Sequence, residues 1–324
     1  MIAANKLRVL LMVAEKLKKK PNSNWKSYAL GAAIVVLLSG LAYVVMAPHG
    51  EVAGSSTVQV VAAENFWGNI AAQIGGNKVK VTSIISDPNA DPHLYESDAH
   101  DAIAIATADI VITNGLGYDD FMDKLLSASP NSNRQVISAA SVLGVTGSNP
   151  NPHLWYNTPK VPQMAAAIEL AMAKQHPADK DQFEKNLATF DASLKPITNT
   201  IAQIKLRYSG EPVAYTERVP GYLLANAGLD VVTPPGFASS IEDGVDPSPS
   251  DTAAMDNLMT SHGVKVLLYN AQTVSPVTQH VRDLATANGI PVIGVTETLP
   301  AGESSYQSWQ LDQVDALQGA LSGK

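Results

Sequence analysis

Cysteine is absent from all 324 residues. Disulfides, thiolate metal ligands, cysteine nucleophiles and thioether lipid anchors are therefore excluded together, while the compartment stays open on this ground. Charge is sparse too, at 16% of residues against 45% hydrophobic, which is the content of a folded chain with length for two domains. A basic body is also missing. Residues 1–27 carry seven Lys and Arg against one acid, Glu15, so the remainder bears −14 while the whole chain bears −8. An acidic body lacks the basic face that nucleic acid requires, and it suits a cation. Neither H-E-x-x-H nor G-x-S-x-G occurs, which removes the usual signatures of a zinc protease or a serine hydrolase.

What is present begins with an apolar run, Tyr28 to Met46, uncharged and preceded by the lysine cluster. Nineteen helical residues match a hydrocarbon core of roughly 30 Å. The basic flank predicts a cytoplasmic amino terminus and an extracytoplasmic body. A cleaved secretory signal competes with an uncleaved membrane anchor. Pro48 after the candidate cleavage site and the length of the run favour the anchor. Residues 47–57 are small and polar, with the composition of a linker.

From Val58 short β-branched runs alternate with helical ones: VQVVAA, NFWGNIAAQIGG, VKVTSII, DAHDAIAIATA, DIVITN. This alternation predicts βαβ units on a parallel sheet, an α/β lobe over 58–177. Ala178 to Arg207 reads as one long helix bent near Pro196, joining that lobe to a second of similar grammar over 209–324. The fold class is therefore α/β, two doubly wound lobes joined by a helix over 178–208.

Ligands in such sheets collect in loops after the strands. His93 lies in Asp91-Pro92-His93-Leu94-Tyr95, and His153 in Asn151-Pro152-His153-Leu154-Trp155. A lone histidine is more often structural. The recurrence of Pro-His-Leu-aromatic points instead to two neutral imidazoles offered to one transition metal. Glu217, in Tyr215-Thr216-Glu217-Arg218, is either a surface ion-pairing residue or a ligand from the opposite wall. Glu297, in Val295-Thr296-Glu297-Thr298, would complete two imidazoles and two carboxylates, or else serves as a solvated or helix-capping acid.

With these blocks, Gly115-Leu116-Gly117-Tyr118 and Asp246-Pro247-Ser248-Pro249-Ser250-Asp251, the chain from Val58 onward resembles the zinc/manganese solute-binding protein family of ABC transporters. The resemblance implies one metal ion held between two lobes by His93, His153, Glu217 and Glu297. It also implies carriage to an ABC permease and no catalysis. A monomer without a nucleic-acid partner is expected, extracytoplasmic and tethered by its amino-terminal helix or secreted after cleavage. The family usually has Asp where Glu297 stands. A histidine-rich loop is also common in zinc-specific members, and residues 119–152 contain no histidine. Two carboxylates favour Mn(II) or Fe(II), whereas raw affinity favours zinc, so both metals stay open. A metal-dependent hydrolase using a glutamate as general base, and a surface adhesin on the same fold, are the competing readings.

Overall fold

The computed structural model describes residues 57–87 and 95–323. The basic segment, the apolar run 28–46, nearly all of the 47–57 linker and His93 lie outside the described residues. Thr57–Lys324 forms one compact unit. Among the described residues no helix is long and apolar enough to cross a membrane.

The chain starts with β1 (Val58–Glu64), α1 (Asn65–Gly75) and β2 (Val79–Ile85). It continues through α2 (Ala99–Thr107), β3 (Ile110–Thr113), α3 (Phe121–Ala128), β4 (Gln135–Ser138) and α4 (Ala139–Leu143). Three helices follow, α5 (Val161–Gln175), α6 (Lys180–Ser193) and α7 (Lys195–Tyr208). The last third is β5 (Pro212–Tyr215), α8 (Gly221–Asn226), β6 (Asp230–Val231), α9 (Pro235–Glu242), α10 (Pro249–Thr260), β7 (Leu267–Asn270), α11 (Pro276–Ala287), β8 (Val292–Val295) and α12 (Tyr306–Leu321).

The strands form two four-stranded sheets of order β2-β1-β3-β4 and β6-β5-β7-β8, with every pairing parallel. The strand order is therefore duplicated although no sequence repeat is visible. Successive β1 side chains serve opposite faces, as the two-residue period requires. Val58, Val60 and Ala62 join the large central core, while Val61 and Ala63 join a smaller outer cluster with Val111 and Phe121. The second sheet has its own outer cluster around Phe237, Leu267 and Val281. The central core is continuous across the molecule, from Phe66 and Trp67 on α1 through Trp155, Phe190 and Ile201 to Leu268 and Trp309.

The long helix expected between the sheets is two helices parted at Leu194. Pro196 has no N–H to offer the carbonyl of Ala192, and its ring crowds that carbonyl. Leu194 keeps helical angles, φ −79° and ψ −11°, so the chain turns there without unravelling. α6 packs against α1 and α5, and α7 against α12.

Candidate metal centre

In both sheets the strand order reverses its sense of winding beside the first strand, between β1 and β3 and between β5 and β7. Loops leaving the carboxyl ends at such a point diverge and leave a crevice. Glu217 and Glu297 each stand two residues beyond a strand end, and Asn270 is the last residue of β7.

His153 follows Asn151-Pro152, and Asn151 holds it in two ways. The Asn151 Oδ1 accepts the His153 backbone N–H at 3.0 Å and lies 2.7 Å from His153 Nδ1. A proton on Nδ1 satisfies that contact and leaves the lone pair on Nε2, the form in which an imidazole can ligate a metal. Asn151 also donates from Nδ2 to the Arg218 carbonyl at 2.7 Å, so the histidine loop is tied to the loop carrying Glu217. Arg218 strengthens the same junction by pairing with Glu242 at 2.6 Å and donating to the Asn149 carbonyl at 3.2 Å.

His153, Glu217 and Glu297 are 0%, 1% and 0% exposed. Burying two carboxylates beside an imidazole carries a large desolvation cost unless hydrogen bonds or a cation offset it. The hydrogen bonds are present. Tyr118 donates its hydroxyl to Glu297 Oε2 at 2.8 Å, and Asn270 Nδ2 donates to Glu217 Oε2 at 2.7 Å and to Glu297 Oε1 at 2.8 Å. His153 Nε2 lies 3.6 Å from Glu297 Oε2. That separation is long for a hydrogen bond and close to the roughly 3.3 Å between neighbouring ligands on a tetrahedral ion with bonds of about 2.0–2.1 Å. Two hard oxygens and one imidazole suit a divalent transition metal.

The structure thus brings His153, Glu217 and Glu297 into one buried network, with His93 outside the described residues. Among the described residues no group of three or more His, Asp or Glu reaches a metal-holding arrangement. The other described histidines are engaged elsewhere: His176 with Asp179, His280 with Asp256, His100 with Asp98, while His262 sits in the turn after α10 at φ 57°. Beside the network a cavity of about 260 Å³ is lined by Tyr118, Pro152, Arg218 and Glu242.

Asn270, Asp119 and Glu64 carry no local sequence signal, while Tyr118 ends the Gly115-Leu116-Gly117-Tyr118 block. Tyr118 is presented by a turn in which Gly115, Leu116 and Gly117 all have positive φ, of 82°, 62° and 83°. Asp119 closes that turn by accepting the backbone N–H groups of Asn114 and Gly115 at 2.6 and 2.7 Å. Burial pushes the Asp119 carboxyl up to about 6, against the lowering effect of those two N–H groups. Glu64, at the carboxyl end of β1, is fully buried, and burial first and the Asp119 charge second raise it well above the usual carboxylate range.

Solved structures share this architecture. TroA, a periplasmic zinc-binding protein from Treponema pallidum, superposes with a TM-score of 0.70 at 18% identity, over 81% of this chain and 98% of its own. The SBP FpvC from Pseudomonas aeruginosa, solved with Mn2+, gives 0.70 at 22% identity, over 83% and 99%. The chain belongs to the family described as zinc-uptake complex component A, periplasmic (ZnuA), whose model matches residues 60–320. Curated relatives include the manganese-binding lipoprotein MntA of Bacillus subtilis, 28% identical over 43% of this chain and 47% of that protein. The manganese ABC transporter substrate-binding lipoprotein PsaA of Streptococcus pneumoniae is 27% identical over 53% and 59%. The chain thus spans about half the length of the curated relatives it matches.

Proposed function

We propose that this protein is an extracytoplasmic solute-binding protein that captures one divalent transition-metal ion, zinc or manganese, and hands it to an ABC-type permease. The observation that carries the reading is the buried contact of His153 Nε2 with Glu297 Oε2 at 3.6 Å, linked to Glu217 by one amide. In this reading His93, His153, Glu217 and Glu297 are the ligands, and the ion is cargo. Four protein ligands leave no position for a reacting water, which fits carriage and not catalysis. The lobes are 58–177 and 209–324, with 178–208 passing between them. The relatives are named lipoproteins, while these 324 residues contain no cysteine, so the run 28–46 is the segment we assign as tether.

The test is metal analysis after equilibrium dialysis of the purified chain. One ion per chain is expected, and His153→Ala with Glu297→Ala should abolish retention. Substoichiometric metal in the unaltered protein, or full retention by the double variant, would overturn the reading.

A further inference from the structure

Asn270 is 1% exposed and its amide orientation is fixed. Gln272 donates its backbone N–H to Asn270 Oδ1 at 3.0 Å, which turns Nδ2 towards the carboxylates. The backbone N–H of Asn270 is held as well, donating to Thr216 Oγ1 at 3.0 Å. The two shortest contacts of Nδ2 are those to Glu217 Oε2 and Glu297 Oε1, and a third partner, Thr273 Oγ1, lies at 3.1 Å. An NH₂ group has two hydrogens, and here both are directed at carboxylates. Glu297 is also fixed through its backbone, since its N–H donates to Gln272 Oε1.

We propose that Asn270 determines metal specificity: by holding Glu217 Oε2 and Glu297 Oε1 on its amide, it limits each carboxylate to one oxygen towards the ion. The site then favours four-coordinate zinc over manganese. The inference rests on the metal-binding reading above.

Two glutamates can give an ion between two and four oxygens. If both were able to turn, they would fill the oxygen-rich, six-coordinate shell that manganese takes; restrained to one oxygen each beside two imidazoles, they give the four-coordinate shell of zinc. An oxygen in a charge-assisted hydrogen bond must surrender that bond to rotate onto the ion. For Glu297 the division of labour is already visible, because Oε2, which also accepts the Tyr118 hydroxyl, faces His153 Nε2 while Oε1 faces Asn270.

The experiment compares the purified full chain with Asn270→Ala and Asn270→Asp. Zinc–manganese competition at fixed pH gives the affinity ratio, and X-ray absorption of the manganese-loaded protein counts the nearest neighbours. Asn270→Asp keeps the acceptor for Gln272 N–H and nearly the same volume, and carries the test if Asn270→Ala does not fold. Both variants should lower the zinc-to-manganese affinity ratio by about tenfold or more and add about one or two oxygens around manganese. An unchanged ratio and coordination number in a folded variant overturns the proposal. So does an equal loss of affinity for both metals, which would make Asn270 merely structural. An unaltered protein that binds neither metal defeats the metal-binding reading itself, whereas one that binds a single ion with variants unchanged defeats the role of Asn270 alone.

Discussion

Asp119 and Glu64 place two buried acids at the carboxyl end of the first sheet, and their effect on stability has a definite sign. Asp119 titrates at about 6 in the folded protein and near 3.9 when unfolded. Below about pH 4 both states hold the proton and the group contributes nothing. Between about pH 4 and 6 the unfolded chain ionises first, so stability falls as pH rises, and above about 6 the loss is constant. Two units correspond to on the order of 3 kcal/mol. Urea unfolding from pH 4 to 7 should show Asp119→Asn losing less stability than the wild type across that window. The slope is the readout, since the substitution also costs a constant amount by placing an NH₂ where an acceptor stood; equal slopes would refute the assignment. Legibility at this scale was uneven. His153 stood out through a repeated Pro-His-Leu-aromatic grammar, whereas Glu217 and Glu297 were legible only as acids placed after strands, for which a surface or capping role was equally open. Asn270 had no pattern of its own and Tyr118 only its place in the Gly115-Leu116-Gly117-Tyr118 block, and their hydrogen bonds, spanning 27 to 179 residues, are recorded by no local pattern.

Among the elements, α1 does more than cover β1. Its polar residues Asn65, Asn69 and Gln73 recur every fourth position and grip the segment that leads from β8 into α12. Asn65 accepts the Leu299 N–H at 2.9 Å and donates to the Leu299 carbonyl at 3.2 Å. Asn69 accepts the Tyr306 N–H at 2.9 Å, and Gln73 pairs with Gln307 at 2.9 Å. Asn65→Ala strands both polar groups of Leu299 and should lower unfolding free energy by about 1–3 kcal/mol, measured by thermal or urea denaturation. A loss near zero would mean that water replaces the amide. α12 went unread in the sequence because Gln310 and Gln313 share its buried face with Tyr306, Trp309, Val314 and Leu317, which blurs the apolar period. β4 was missed for a similar reason, since Ile137 is its one buried residue. The break at Leu194 was foreshadowed by Pro196, yet helical periodicity runs through it undisturbed.

For the whole molecule, the alternation of β-branched and helical runs was enough to read two parallel α/β units, because fully buried parallel strands stand out as apolar runs. How the units join was not legible. One central core crosses from the first sheet through α5, α6 and α7 to the second, so neither sheet closes its inner face by itself. A chain ending at residue 298 lacks α12 and uncovers Tyr156 and Phe190, whose rings pack against Trp309 and Tyr306 in that core. It should lose its cooperative thermal transition, followed by far-UV circular dichroism, although both sheets are retained. A sharp melt for that fragment would show that the sheets fold independently.

The grip of α1 on the segment before α12 joins residues 234 apart in sequence. A ribosome makes α1 among the first pieces of this unit and its partner among the last. Asn65, Asn69 and Gln73 therefore wait with their hydrogen bonds given to water until the segment 299–307 has emerged. Contacts this distant are slow to form and leave apolar surface uncovered meanwhile. The segment 299–307 thus acts as the closing stitch of the fold, and until it docks on α1 the polar row of that helix stays open to water.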